Sequence, residues 1–145
     1  MSGSTVINAP RAKVWGHLTN PDFVAKCAPG LESMEVVEEN KKYKATGSVG
    51  LGNIKVRFNG EIEFVTLEAP NRAVIKGRGS APGSAAEGTA EMKLRDGENG
   101  STVMDWNADV NVLGTIASLA SRMMGSVAQK LSGQFFDCVK ARIEE

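Results

Sequence analysis

Residues 114–145 read GTIASLASRMMGSVAQKLSGQFFDCVKARIEE and form the longest periodic segment of this 145-residue chain. Apolar residues recur in it at steps of three and four, which is the spacing of one face of an α-helix. No proline interrupts the run, so the pattern predicts one helix of about 28 residues and roughly 42 Å. Such a helix needs a large apolar surface to pack against. Its predicted apolar face comprises Leu113, Ile116, Ala120, Met123, Met124, Val127, Leu131, Phe135, Cys138 and Val139.

The residue pattern in the middle of the chain predicts that this surface is a β-sheet. Between residues 31 and 112, polar and apolar side chains alternate, which is typical of strands with one face toward solvent. Turns rich in glycine, proline and asparagine separate the alternating segments. We predict strands at 4–8, 33–39, 42–49, 54–67, 72–80, 86–95 and 101–112, and short helices at 10–18 and 22–26.

This order of elements predicts one α+β domain that spans residues 1–145. The seven strands would form a curved antiparallel sheet, with two short N-terminal helices after the first strand. The long C-terminal helix would lie across the concave face of the sheet. No composition change and no linker marks a domain boundary, so we predict a single domain.

Several strand positions that face the predicted helix carry small residues. Glycine inside a strand usually marks a bend or a close backbone approach, so curvature alone would explain Gly47 and Gly60. Small residues opposite a helix also leave space, and such space either collapses or holds a molecule. We therefore predict an enclosed apolar cavity, which leucine at Gly47 or Ala108 would block. The predicted ligand-binding residues are Tyr43, Gly47, Val56, Phe58, Ile62, Phe64, Met92, Met104, Trp106, Ala108, Ile116, Ala120, Met123, Val127 and Leu131.

Residues suited to catalysis or metal binding are sparse. His17 is the only histidine, and it has no further histidine or cysteine at metal-ligand spacing. The alternation puts Glu91, Asp105 and Asp109 on the polar face of the strands, where carboxylates are solvated rather than catalytic. We predict no catalytic residue, no metal site and no intrinsic cofactor.

Charge and cysteine content narrow the function classes. The 17 basic residues balance the 17 acidic ones, so we predict no nucleic-acid partner.

Cys27 and Cys138 lie far apart without a CxxC spacing, which predicts unpaired thiols in a reducing cytosol, with Cys138 buried. The N-terminus lacks the basic and apolar regions of a signal peptide, and no segment reaches the roughly 20 apolar residues of a membrane span. We therefore predict a cytoplasmic location.

Short motifs along nearly the whole chain resemble a known family. The first strand, followed by APRAKVW at 9–15, resembles the start of START-like (SRPBCC, helix-grip) domains. A more specific resemblance is to the G-subunit family of carbon monoxide dehydrogenase. It is carried by CAPG at 27–30, Tyr43 and Gly47 on one strand, GRG at 77–79 with Gly88, Thr102, WNADV at 106–110, and the glycine-led terminal helix.

The resemblance implies a helix-grip fold around a hydrophobic cavity and an accessory role. The partners would be a hydrophobic small molecule, the subunits of a molybdenum-containing carbon monoxide dehydrogenase or related hydroxylase, and the membrane surface. The bound molecule would be a quinone such as menaquinone, or another isoprenoid lipid. The protein would work in the cytoplasm, peripheral at the inner face of the membrane. Many members carry a C-terminal extension that contacts the membrane. The given sequence ends at Glu145 without such an extension, which puts membrane anchoring by this chain alone in doubt.

Two other functions stay open at the level of the sequence. An enzyme of the polyketide cyclase or dehydratase type shares this fold and would need polar side chains inside the cavity. Glu87, Tyr43 and Asn107 are the candidates for that role. An assembly chaperone would instead work through its surface and hold no ligand. The fold alone does not decide among the three functions.

Overall fold

The structure of the protein is a computed structural model that describes residues 2–51 and 53–144. Within these residues the chain forms seven strands, three α-helices and one short 3₁₀ turn at Glu98–Gly100. The helices are α1 (Arg11–Leu18), α2 (Pro21–Cys27) and α3 (Ala117–Ile143). The strands are β1 (Ser2–Ile7), β2 (Leu31–Glu38), β3 (Lys42–Leu51), β4 (Ile54–Glu68), β5 (Arg72–Ala81), β6 (Ser84–Asp96) and β7 (Thr102–Gly114).

The described strands form one antiparallel sheet in the order β1-β7-β6-β5-β4-β3-β2. This confirms the predicted α+β architecture: seven strands, two short helices after β1, and a long C-terminal helix, α3, of 27 residues. The observed ends of the strands and short helices differ from the predicted ones by no more than two residues, mostly because the strand pairing continues into the turns. None of the helices in the described part of the chain has the length and apolarity that crossing a membrane requires.

Cross-strand register confirms which residues share the concave face. Tyr43 lies opposite Ile62, which in turn lies opposite Gly77. Two residues farther along β3, Ala45 lies opposite Gly60. Because residues directly opposite each other share a face of the sheet, the predicted apolar positions of β3 and β4 lie together, and the charged positions lie on the outer face.

The closely packed core lies at one end of the sheet, under the last turns of α3. Val139 and Ile143 of α3 are completely buried there, together with Val14 of α1 and Ile7 of β1. Each such side chain stabilises the fold by about 1.5–3 kcal/mol relative to an exposed one. The buried cluster comprises Ile7, Ala9, Val14, Leu18, Cys27, Leu94, Met104, Val139 and Ile143.

Local sequence signals place α1 and α2 over this end of the sheet. Helix α1 buries Val14 and Leu18, which lie one turn apart. Helix α2 begins with Pro21, whose missing N–H costs nothing at that position. The Asn20 side chain caps α2 by accepting a hydrogen bond from the backbone N–H of Asp22 at 3.0 Å.

His17 has a packing role between the two short helices. Its ring contacts the ring of Phe23 edge-on, with the centroids 4.8 Å apart. Its Nδ1 donates a hydrogen bond to the carbonyl oxygen of Lys13 at 2.8 Å. The ring contact joins α1 to α2, and the hydrogen bond, which lies within α1, orients the imidazole.

The N-terminal end of α3 is fixed at the opposite end of the sheet. Gly114 has a φ of +98°, which favours glycine, and it turns the chain from β7 toward α3. The N–H of Thr115 donates to the carbonyl of Gly83 at 3.0 Å. The N–H of Ile116 donates to Oγ of Ser84 at 3.3 Å. Helix α3 is therefore held at both ends and spans the sheet between them.

The two cysteines correct one prediction. Cys27 at the end of α2 and Cys138 in α3 form a disulfide, with their Cα atoms 5.4 Å apart. The prediction of two unpaired thiols is wrong because the fold brings together residues that are 111 positions apart, which spacing along the sequence cannot reveal. The bond ties α2 to α3 beside the buried core.

Breaking this disulfide should destabilise the protein. Losing a native disulfide from a small domain costs about 2–5 kcal/mol. We expect the urea midpoint of the wild type to fall when a reductant is added. A variant with Cys27→Ser and Cys138→Ser should show the lower midpoint with and without the reductant. Equal midpoints for the oxidised and reduced wild type would contradict the pairing.

Candidate functional site

The concave face of the sheet carries a floor of small residues beneath α3. The residues come from four adjacent strands, β3 to β6, and lie side by side in two neighbouring rows. We call this surface the small-residue floor. It consists of Ala45, Gly60, Gly79 and Ala86 in one row and of Gly77 and Gly88 in the next.

Apolar residues around the small-residue floor are only half-buried, unlike those of the core. Ile54 and Val110, on the concave face toward the far end, are 50% and 45% exposed. Protein interiors are close-packed, so apolar side chains in a filled interface would be nearly inaccessible. Solvent therefore reaches this part of the concave face. The predicted ligand-binding residues that are half-buried are Val56, Phe58, Ile62, Phe64, Met92, Trp106, Ala108, Ile116, Met123, Val127 and Leu131.

The other predicted ligand-binding residues are buried. Tyr43, Met104 and Ala120 are each 3% exposed, and Met104 belongs to the core cluster. Gly47 is also buried, and a Cβ there would come within 2.7 Å of the carbonyl oxygen of Gly30. Leucine at Gly47 would therefore displace backbone, so this position cannot test for a cavity.

Gly77 is the position of the small-residue floor with the most space above it. Among the described residues, a Cβ at Gly77 would meet only the carbonyl oxygen of Glu61, at an ordinary 3.8 Å. At Gly88 a Cβ would lie 2.8 Å from the carbonyl oxygen of Asp109. Glycine at 88 is thus required by a close backbone approach, whereas Gly77 leaves room toward α3.

Trp106 marks the boundary between the small-residue floor and the core. A Cβ at Gly3 would lie 2.9 Å from its ring, so β1 packs directly against the indole. On the other side, its ring centroid is 6.0 Å from that of Phe136 in α3. The half-buried indole therefore presents an aromatic wall at this end of the site.

Tyr43 contributes a buried polar group without a partner. Its ring contacts Phe64 edge-on, with the centroids 5.9 Å apart and the planes at 89°. Its hydroxyl has no hydrogen-bond partner among the described residues. Buried hydroxyls are nearly always hydrogen-bonded, and leaving one unpaired costs about 1–3 kcal/mol. This hydroxyl is therefore a candidate contact for a bound molecule.

Carboxylates on the outer sheet face form ion pairs. A hydrogen bond of 2.7 Å from Arg72 holds the pKa of the Glu91 carboxyl below its usual value. A hydrogen bond of 2.9 Å from Arg95, with a second from the Ser4 hydroxyl, lowers the pKa of Asp105. A general acid needs a raised pKa, so these groups are suited to a solvated surface, where the alternation predicts them.

Two of the three polar side chains that an enzyme would use lie on the outer face. Glu87 is exposed and lies opposite Arg78. Asn107 is also exposed, and its amide donates to Glu91 at 3.4 Å. Of the three candidates, Tyr43 alone faces α3.

Two shallow recesses open near the ends of β6 and β7, on the polar part of the surface. One, of about 390 Å³, is lined mainly by charged residues that include Arg72 and Lys93. The other, of about 540 Å³, is lined by residues that include Glu91 and Asp105. Trp106 is the one predicted ligand-binding residue in the lining of the second recess, and no described residue of α3 lines either recess, so neither is the predicted site between the sheet and α3. The enclosed cavity between the sheet and α3 stays a prediction.

Solved structures of other proteins share this architecture. A solved structure of a START superfamily protein from Mycobacterium smegmatis matches with a TM-score of 0.74 at 9% identity, covering 99% of this chain and 96% of that one. The Zhui aromatase/cyclase from a Streptomyces species matches with a TM-score of 0.72 at 18% identity, covering 99% and 92%. At these identities the likeness shows the fold alone.

The chain belongs to the CoxG family, the G-subunit family of carbon monoxide dehydrogenase, whose family model matches residues 3–144. This confirms the resemblance that the sequence motifs indicate. A conserved protein from Geobacillus kaustophilus has a solved structure with a TM-score of 0.90 at 25% identity, covering 99% of this chain and 93% of that one. None of the curated proteins matches the chain in sequence.

Replacing Tyr43 by phenylalanine should stabilise the ligand-free protein. Tyr43→Phe keeps the ring and removes the unpaired hydroxyl, so we expect the free energy of unfolding in urea to rise by about 1 kcal/mol. Ser48→Ala removes a hydroxyl from the outer face of the same strand and should change it by less than about 0.5 kcal/mol. A loss of stability in Tyr43→Phe would mean that the hydroxyl is hydrogen-bonded in the free protein.

Proposed function

We propose that this protein is a non-enzymatic carrier that binds a long apolar molecule between α3 and the concave face of the sheet. The accessible apolar surface around the small-residue floor carries this proposal. A helix and a sheet that needed only to pack against each other would bury their facing apolar residues, as they do at the core end. Here Phe58, Met123 and Val127 stay half-buried on facing elements.

Reversible binding needs only a modest apolar contact area. A molecule that buries about 400 Å² of apolar surface gains roughly 10 kcal/mol. Association costs of about 4 kcal/mol leave a net gain of about 6 kcal/mol. This corresponds to a dissociation constant of about 40 μM, which suits a carrier that releases its ligand. Longer isoprenoid chains would bind more tightly.

Membership of the CoxG family supports both the ligand and the partner enzyme that we propose. The ligand would be a quinone, such as menaquinone, or another isoprenoid lipid. The protein would pass it to a molybdenum-containing carbon monoxide dehydrogenase or a related hydroxylase and help to recruit that enzyme to the membrane. In this proposal the protein works in the cytoplasm, peripheral at the inner face of the membrane.

The enzyme alternative has less support. Acid–base chemistry would need two polar groups that face each other across the bound molecule. Among the three candidates that the sequence offers, Glu87 and Asn107 are exposed on the outer face. The likeness to the Zhui aromatase/cyclase is one of fold, and fold does not carry function.

Native mass spectrometry of the protein, purified without detergent from cells that also express the dehydrogenase subunits, tests the carrier proposal. We expect an added mass that organic extraction removes and identifies as a neutral lipid, and we expect the dehydrogenase to co-purify. Co-purification of the dehydrogenase with a ligand-free protein that accepts no lipid would favour the assembly chaperone and overturn the carrier.

Filling the space above Gly77 should block ligand uptake. Gly77→Leu places a side chain on the concave face where a Cβ meets only an ordinary contact, so the fold should survive. We expect loss of lipid uptake by at least about tenfold, with an unchanged circular dichroism spectrum. Ser80→Leu is the matched control, because Ser80 is exposed on the outer face of the same strand. Equal uptake by both variants would show that the ligand lies elsewhere.

A further inference from the structure

We infer that the Tyr43 hydroxyl is the polar anchor of this site and selects neutral apolar molecules that carry a carbonyl oxygen. The inference rests on the proposed carrier function and deepens it by assigning one hydrogen bond and one ligand class. It starts from the buried hydroxyl that has no partner among the described residues.

An unpaired hydroxyl at this depth is unfavourable in the empty protein. Tyr43 is 3% exposed, so bulk water does not satisfy its O–H group. Hydroxyl groups donate one hydrogen bond, and a buried donor is normally paired. A ligand with an acceptor oxygen would complete this bond, and the free energy lost in the empty state would be recovered on binding.

Packing holds the tyrosine ring in a fixed position. Phe64 contacts the ring edge-on, and Tyr43 pairs with Ile62 on the neighbouring strand. A hydroxyl on a ring held in this way is preorganised, so little conformational freedom is lost when a ligand binds.

The anchor lies in the same cross-strand row as the open position of the small-residue floor. The row runs from Tyr43 through Ile62 to Gly77. Two strand spacings of about 4.8 Å separate the first residue from the last. A bicyclic ring seated over Gly77 would therefore lie two strands from Tyr43 on the same face of the sheet.

The chemistry of the row excludes charged ligands. Its remaining concave-face members are Val36, Ile62, Gly77, Gly88 and Val110, none of which offers a charge. A carboxylate placed there would lose its hydration without gaining a cation, which is costly. We therefore expect quinones and similar neutral carbonyl compounds to bind, and free fatty acids to bind poorly.

A pair of probes with the same bicyclic carbon skeleton, one with and one without carbonyl groups, tests the anchor. We would titrate the lipid-free, full-length protein with 2,3-dimethyl-1,4-naphthoquinone and with 2,3-dimethylnaphthalene by isothermal calorimetry. The two methyl groups block thiol addition to the quinone. Three proteins are compared: the wild type, Tyr43→Phe, and the control Ser48→Ala on the outer face of the same strand.

We expect Tyr43→Phe to weaken quinone binding about tenfold, which corresponds to the free energy of one neutral hydrogen bond. Its affinity for the hydrocarbon should stay within about twofold of the wild type, because no hydrogen bond is lost there. The Ser48→Ala variant should bind both probes like the wild type.

Other outcomes separate the two proposals. If Tyr43→Phe weakens the binding of both probes equally, the residue acts through packing. The proposal of a polar anchor is then overturned, while the proposed carrier function stands. If the variant binds both probes like the wild type, the anchor is likewise overturned. If the wild type binds neither probe, nor any extracted lipid, both the anchor and the carrier are overturned.

Discussion

Helix α3 is fixed to the sheet at its two ends, and the apolar side chains of helix and sheet between those ends are only half-buried. At the C-terminal end, Val139 and Ile143 are completely buried in the core, and the disulfide from Cys138 holds the helix to α2. At the N-terminal end, Thr115 hydrogen-bonds to Gly83 in the turn before β6, and Ile116 hydrogen-bonds to Ser84 at the start of β6. Stability is thus concentrated at the ends of the helix. The span between them can line a binding site without weakening the fold.

The glycines of the concave face fall into two groups, which differ in what a side chain at each position would meet. At Gly47 and Gly88 a side chain would collide with a neighbouring carbonyl oxygen, so these residues allow strands and loops to approach closely. At Gly77 no such approach exists among the described residues, and glycine there leaves volume facing α3. Close backbone approach therefore explains Gly47 and Gly88, whereas the ligand space predicted from the sequence stays a prediction, for which Gly77 is the best-placed glycine.

Most of the architecture follows from the sequence because each element has a strong local signal. The two periodicities and the turn residues define the strands and short helices of the described residues to within two residues at each end. The register also confirms the concave-face positions of β3 and β4, such as Tyr43 and Phe58.

Features that depend on contacts between distant segments could not be predicted. The bond between Cys27 and Cys138 and the crowding of Gly47 by Gly30 exist only once the chain is folded. The same holds for the Tyr43 hydroxyl. Alternation places the residue on the concave face, but the lack of a partner depends on every neighbour that packs around it.

The central claim is that apolar ligands bind between α3 and the small-residue floor. The most direct test is a crystal structure of the protein with a brominated 2,3-dimethyl-1,4-naphthoquinone, located by the anomalous scattering of bromine. The account predicts a bromine peak between α3 and Gly77, with a quinone oxygen within hydrogen-bond distance of the Tyr43 hydroxyl. Bromine found only on the outer face, with the concave face filled by side chains, would contradict it.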